Sequence, residues 1–248
     1  MEIDINSFTS FNQDNLPDWN CSTCRRGKVF FDLSNITCFE TNKSKRARSE
    51  NDWDPYQIDE HFTGVLKCSN PKCQENYSIT GQISYWNLSD DESPSDLVPH
   101  YLPTYIYPIL HIFRIPEYTP FEVAEAIVTA FKIFWIDKPT CANSVRKVIE
   151  LILDDKRIAK TELSPTRKRR SISLHKRLLI FQQKNRQIAD QLMAIKWIGN
   201  VGSHEFEVDP EDLVAGFELL HYSLEKLYGD HEQRMIQLTK YVNKRKRP

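Results

Sequence analysis

The chain has no long hydrophobic run. Its most apolar tract, Tyr105 to Ile115, is short and is broken by Pro108, His111 and Arg114. A membrane-spanning helix needs about 20 predominantly apolar residues, so no span is expected. A secretory leader is not expected either, because Met1-Glu2-Ile3-Asp4-Ile5-Asn6 is acidic and has no apolar h-region. There is no internal repeat, and the formal net charge is only −1. These absences lead to the expectation of a cytoplasmic protein with no membrane partner. What is present, 40% hydrophobic and 27% charged residues in 248, suffices for a real core in one large domain or two small ones.

The charge is unevenly spread. Residues 1–100 hold 9 basic and 16 acidic groups (9 − 16 = −7), and the remainder hold 24 and 18 (24 − 18 = +6). Basic runs occur at Lys43–Arg48, Arg167–Arg170 and Lys244–Arg247. Each is either a solvated loop or tail, or a contact for phosphates, which needs Lys and Arg grouped on one surface. The run Arg167, Lys168, Arg169 and Arg170 is the candidate nucleic-acid contact.

Six cysteines are present: Cys21, Cys24, Cys38, Cys68, Cys73 and Cys141. Cys21-x2-Cys24 and Cys68-x4-Cys73 are close pairs separated by strand-like sequence. Each pair can form a turn whose two thiolates point at one metal, and two such turns complete a tetrahedral four-thiolate zinc site. Free or disulfide-bonded thiols are the alternative, and a cytoplasmic compartment disfavours disulfides. The flanks Gly27–Phe31, Phe62–Lys67 and Tyr77–Trp86 are β-rich, which is the pattern of a zinc ribbon. Four cysteine ligands leave no open coordination position, so the zinc is expected to be structural. Cys38 and Cys141 read as buried small hydrophobes.

The fold class expected is α+β: a small N-terminal β zinc ribbon followed by an all-α bundle. The boundaries are an N-terminal extension over 1–18, the ribbon over 19–87, a linker and Pro-rich segment over 88–119, and a helical domain over 120–248. From Pro120 the hydrophobic period changes from two to about 3.6. Helices are predicted from Pro120 through Trp135, over Thr140–Leu153, Leu174–Asn185 and Arg186–Ile198, from Asp209-Pro210 to Gly229, and over His231–Asn243. A basic loop separates the second and third. Asp209 suits an N-cap and Pro210 the first helical position.

The fourth of these helices is expected to stop at Gly199-Asn200-Val201-Gly202-Ser203-His204. Polar groups gathered at a flexible helix end make a site candidate. The plainer roles are also open: Asn200 and glycine end helices, His204 caps or fills a core, and Trp197 is core. Arg146 and Glu150, spaced i, i+4, either form a surface ion pair or leave Arg146 to point into a groove shared with His204. A surface pair would contribute on the order of 0.3–0.5 kcal/mol. Lys196 and Arg186 would supply positive charge near the histidine.

The cysteine spacing, the segment Ser144–Glu150, the segment Leu174–Leu178 and the segment Ala194–His204 together resemble the bacterial domain-of-unknown-function family 4145. Its domain is similar to the HEPN (higher eukaryote and prokaryote nucleotide-binding) helical bundles. Related domains occur alone or fused to restriction-type proteins. The resemblance therefore implies nucleic-acid binding, with RNA as the expected target, an antiviral defence role, a homodimer, and a protein partner from a defence system. Active HEPN ribonucleases carry an Arg-x4–6-His motif and cleave RNA without a metal. In this chain Trp197, Ile198 and Gly199 stand where that arginine would fall. A metal-independent endoribonuclease built on this chain would use His204 as acid/base and Asn200 to orient it. Arg146 would hold phosphate, with Glu150, Lys196 and Ser203 in support. The rival reading is a non-catalytic protein–protein interaction module, in which the Gly-Asn-x-Gly-Ser-His turn is structural.

Overall fold

The computed structural model describes residues 8, 10–31, 33–54, 57–87, 97–163, 168–204 and 208–245, without the side chains of 33, 87, 200–204, 232 and 233. The chain divides into two compact units, one within 4–112 and one within 113–248. The architecture is mixed α+β, with an antiparallel sheet first and helices after it. No helix among the described residues is long and apolar enough to cross a membrane.

The first unit is a six-stranded sheet of β1 (Trp19–Asn20), β2 (Lys28–Phe31), β3 (Thr37–Glu40), β4 (Glu60–Cys68), β5 (Asn76–Asn87) and β6 (Leu97–Tyr107), with helix α1 (Asn42–Ala47) after β3. The order is β1-β2-β4-β5-β6, and all pairings are antiparallel. β2 and β3 share one side of β4, β2 pairing with Leu66–Cys68 and β3 with Glu60–Thr63. On β4 the side chains of Phe62, Leu66 and Cys68 are buried and those of His61, Thr63, Val65 and Lys67 are exposed. That alternation is the mark of a sheet with one covered face.

The sheet curls. Phe11 exchanges backbone bonds with Tyr101 on β6 (3.1 and 2.8 Å), and the chain then runs directly into β1 at the far end of the strand order. Phe11, Trp19, Phe31, Phe62 and Tyr101 fill the interior, with Phe11 and Phe31 4.7 Å apart edge-on and Phe62 and Tyr101 5.1 Å apart. Two expectations change here. The 1–18 segment is not an extension throughout, since Phe8 and Phe11 are core residues. The 88–119 segment is not a linker throughout, since 97–107 is a full strand. Pro99 and Pro103 are tolerated because β6 is the last in the strand order, where a missing N–H costs no ladder bond. Opposite Thr80 and Gly81 the register skips Thr104, a β-bulge that absorbs the Pro103 irregularity.

The second unit contains α2 (Phe121–Phe134), α3 (Lys138–Asp155), α4 (Leu174–Gln182), α5 (Arg186–His204), α6 (Pro210–Tyr228) and α7 (Asp230–Arg245). A two-stranded hairpin, β7 (Thr161–Leu163) and β8 (Arg169–Ser171), lies between α3 and α4. Asp137 accepts from Thr140 N (2.6 Å) to cap α3, and Asp209 accepts from Glu211 N (2.8 Å) to cap α6. α5 packs against α3, α4 and α6. Phe113, Phe131, Phe134 and Phe217 form the aromatic centre of this unit, each almost fully buried.

α5 does not stop at Ile198. It runs on through Gly199 to His204, so the Gly-Asn-x-Gly-Ser-His segment is helical backbone rather than a turn. Glycine weakens a helix by only about 1 kcal/mol relative to alanine, and packing outweighs that. A Cβ on Gly199 would lie 3.1 Å from the Ala142 carbonyl oxygen and 3.4 Å from Arg146 Cβ, so glycine permits close approach of α5 to α3.

Gly81 tests the bulge. A Cβ there would fall 2.1 Å from the Leu102 carbonyl oxygen and 2.7 Å from the Phe62 ring. Gly81→Ala is expected to cost about 1–3 kcal/mol, read as a lower urea midpoint. An unchanged midpoint would show that β6 yields freely at this point.

Candidate metal centre and helical site

The cysteine pairs sit on the β1–β2 and β4–β5 turns. Because Val29 pairs with Cys68, those turns lie side by side at one end of the sheet. The sulfurs of Cys21, Cys24, Cys68 and Cys73 all lie within 4.8 Å of one another. Cys21 and Cys73 are 3.9 Å apart, and Cys24 and Cys68 are 3.6 Å apart. A Zn–S bond of about 2.3 Å in a tetrahedron implies sulfur–sulfur edges of about 3.8 Å. The four thiolates fit a zinc ion in number, type and spacing.

The backbone around the sulfurs is shaped for an anionic cluster. Gly27 N donates to Cys24 Sγ at 3.3 Å and Asn70 N to Cys68 Sγ at 3.4 Å. Arg25 and Gln74, each just after the second cysteine of its pair, adopt left-handed φ of 57° and 51°. The N–H groups of Arg26 and Gly27 pull the Cys24 thiol down to about 6, whereas burial pushes Cys68 up to about 12. Buried Tyr77 holds its hydroxyl 3.2 Å from Cys21 Sγ and accepts from Ser22 N at 3.0 Å. His111 N donates to Ser22 Oγ at 2.7 Å, so the Pro-rich segment returns to the cysteine end of this unit.

Sequence reasoning did not single out Gly27 or Tyr77. A Cβ on Gly27 would sit 2.5 Å from Cys68 Sγ. Its signal was a glycine three residues after the second cysteine of the first turn. Tyr77 could have been found as an inward position of a strand beside a ligand turn. Two cysteine expectations divide: Cys141 is buried and donates to Ala130 O at 3.3 Å, but Cys38 is exposed on β3.

In the helical unit, Glu150 does not pair with Arg146. Its partner is Lys147 at 3.3 Å, one residue nearer along α3. Arg146 instead lies against α5 at Gly199 and repels Lys196 electrostatically. Lys196 is only 6% exposed, and its amine stands 3.6 Å from the centre of the Trp197 ring. No carboxylate pairs with it among the described residues. Burial, and after it the Arg146 charge, hold the Lys196 amine below the ordinary lysine range. Trp197 is not core: it is 53% exposed, with the His175 ring 6.0 Å away. Arg186 is exposed and pairs with Asp190 at 3.8 Å.

Asn200, Ser203 and His204 lie on the last turns of α5, but their side chains lie outside the described residues, and so does Arg167. Lys168, Arg169 and Arg170 are exposed on the β7–β8 hairpin, where Glu162 faces Arg170 across the ladder. What was read as a basic loop is therefore a basic β-ribbon.

Metal analysis tests the first centre. Protein made without added metal is expected to hold one zinc per chain, and cobalt exchange should give a tetrathiolate spectrum. Cys24→Ser should abolish both, and Gly27→Ala should weaken metal retention in a chelator competition. Tyr77→Phe, which removes a hydrogen bond outside the ligand set, should reduce affinity by about 10–100-fold at most. Zinc retained by Cys24→Ser would rule out the four-thiolate site.

Residues 128–246 match the model of a domain of unknown function (DUF4145), and residues 9–107 match that of a second domain of unknown function (DUF8608). No curated protein and no solved structure matches the chain. The two family matches fall on either side of the division between the sheet unit and the helical unit, and the first-named family is the one that the helical motifs resemble.

Proposed function

We propose that the sheet unit holds a structural zinc ion and that the HEPN-like helical unit binds RNA in a defence-related role. One observation carries the RNA reading. Two cations, Lys196 on α5 and Arg146 on α3, lie near enough for the Arg146 charge to disfavour that of Lys196, and the more buried of them has no carboxylate partner among the described residues. Such a pair is stabilised by an anion, and a phosphodiester supplies one. The exposed ribbon residues Lys168, Arg169 and Arg170 add contacts of the same kind. Cleavage without a metal ion is the step that the resemblance adds, with His204 as acid/base, Asn200 orienting it and Arg146 on the phosphate. Glu150, paired with Lys147, and Ser203 support that arrangement at a distance.

The second reading is a non-catalytic interaction module, with a second copy or a defence-system protein as partner. Its support is the uninterrupted course of α5: Gly199 has a packing role at Ala142 that needs no catalytic explanation.

Lys196→Met separates a ligand-binding role from a structural one. The folded-state pKa of Lys196 lies below that of an unfolded lysine, near 10.4, so folding disfavours its charge. The resulting penalty is absent above the unfolded pKa and grows as pH falls through the folded value. At neutral pH the variant should therefore melt at or above the wild-type temperature while binding RNA more weakly. Its salt slope should be shallower by about 0.7 for each single-strand phosphate that the variant no longer neutralises. A lower melting temperature with unchanged RNA binding would sink the phosphate role.

Incubation of total RNA with the zinc-loaded protein in magnesium-free buffer tests cleavage. The wild type should cut, and a folded His204→Ala variant should not. Intact RNA in both would leave the binding reading standing and remove the nuclease.

A further inference from the structure

The outer face of the sheet unit plays no part in the cysteine cluster. Among the described residues of this unit the exposed aromatic rings are Phe30, Phe39, Trp86, Tyr105 and Tyr107. All five stand on the outer face, because they alternate with inward neighbours or pair with outward residues. The register sets Phe30 opposite Lys67, Tyr107 opposite Ser78 and Tyr105 opposite Thr80. A concavity of about 430 Å³ lies on the same face, with Thr37, Thr63, Val65, Ser78, Thr80 and Tyr105 in its lining.

The charge of this face is unlike that of its unit. Residues 1–100 hold 16 acidic groups, yet the six strands contain only Glu40 and Glu60. These two are ladder partners on the opposite face, since Glu60 also stands across from buried Ile83. Glu40 accepts from Ser44 and Arg48, each at 2.8 Å, and Glu60 accepts from the Tyr85 hydroxyl. No strand therefore presents a carboxylate to the outer face. Lys67 is exposed there and makes no ion pair among the described residues.

We propose that this face binds an unpaired RNA strand. Exposed rings without neighbouring carboxylates are what a polyanion with flat bases needs: bases stack on the rings, and no like charge repels the phosphates. A neutral sugar polymer also stacks on aromatic rings, but it gains nothing from the exclusion of acids. Only unpaired bases can reach the rings, since a duplex keeps its bases stacked inside. Tyr105 and Tyr107 are two residues apart on one strand, about 7 Å, so each ring can take a base of its own. Lys67, across the ladder from Phe30, puts a cation for a phosphate beside a ring for a base. The Thr and Ser hydroxyls of the concavity both donate and accept, which suits the ribose 2′-OH that DNA lacks. The choice of RNA over DNA rests in part on the reading given for the helical unit; the surface itself does not.

Fluorescence anisotropy of a labelled, unstructured RNA strand, measured with the zinc-loaded full chain, tests the face. The strand should bind more tightly than the same sequence in a duplex or as DNA. Tyr107 is 60% exposed, so Tyr107→Ala should keep the wild-type melting temperature. It should weaken the strand about fivefold or more, the loss of one stacked base. Tyr107→Phe should keep the affinity, and Lys67→Gln should weaken binding and flatten its salt dependence. No binding of the strand, equal binding of duplex or DNA, or full affinity after Tyr107→Ala and Phe30→Ala together would overturn the proposal. Lys196→Met separates the two units. RNA binding lost in that variant but kept in the sheet variants would leave the helical reading standing and remove this one. The reverse pattern would remove the helical reading and keep this one. Losses in both sets would support two RNA surfaces on one chain.

Discussion

Four sulfur atoms gathered within 4.8 Å are the constraint on which the sheet unit depends. The ligands come in two pairs from opposite turns, and the sheet register that pairs Val29 with Cys68 is what brings the turns together. Strand pairing and the gathering of the four sulfurs are therefore one constraint seen twice. A cation held at the centre would favour the thiolate form of all four, and its binding free energy would become folding free energy. Gly27 shows how tightly the two are coupled, because the turn that presents Cys24 leaves no room for a methyl group beside Cys68. A closed four-thiolate shell around such a cation would leave no position for substrate.

The centre was legible in the sequence because thiol spacing is a local property. The helices were legible for the same reason, since a 3.6-residue period needs no knowledge of the partner. β6 was not, because its prolines are tolerated only by virtue of its place at the end of the strand order, which one strand's residues do not record. The β7–β8 ribbon was missed for a different reason. All of its described positions are exposed, so it has no buried face and no alternation to read.

The last turns of α5 show how a local signal misleads. Two glycines and an asparagine within four residues normally read as a helix stop. Here Gly199 faces the Ala142 carbonyl of α3, and close packing of two helices explains its small size. The pairing of Arg146 with Glu150 failed in a similar way. Both i, i+3 and i, i+4 partners were available, and Lys147 takes the carboxylate. The sequence placed Arg146 and Lys196 on separate helices; only the packing of α5 on α3 sets them together.

Among the described residues the helical unit buries two cations, Arg177 and Lys196, and treats them oppositely. Arg177 meets Asp154 and the end of α3 through charge-assisted bonds, so removing Asp154 would strand a charge, a loss of about 3–5 kcal/mol in comparable buried pairs. Lys196 meets an aromatic face and another cation. The first arrangement stabilises the fold by itself. The second disfavours the charged amine in the folded state, and an anion that bound only that state would add RT ln(1 + [L]/Kd) to its stability. A charge that is unfavourable without ligand and favourable with it couples stability to occupancy. That coupling, rather than any single motif, is the physical basis of the anion site proposed where α3 and α5 meet.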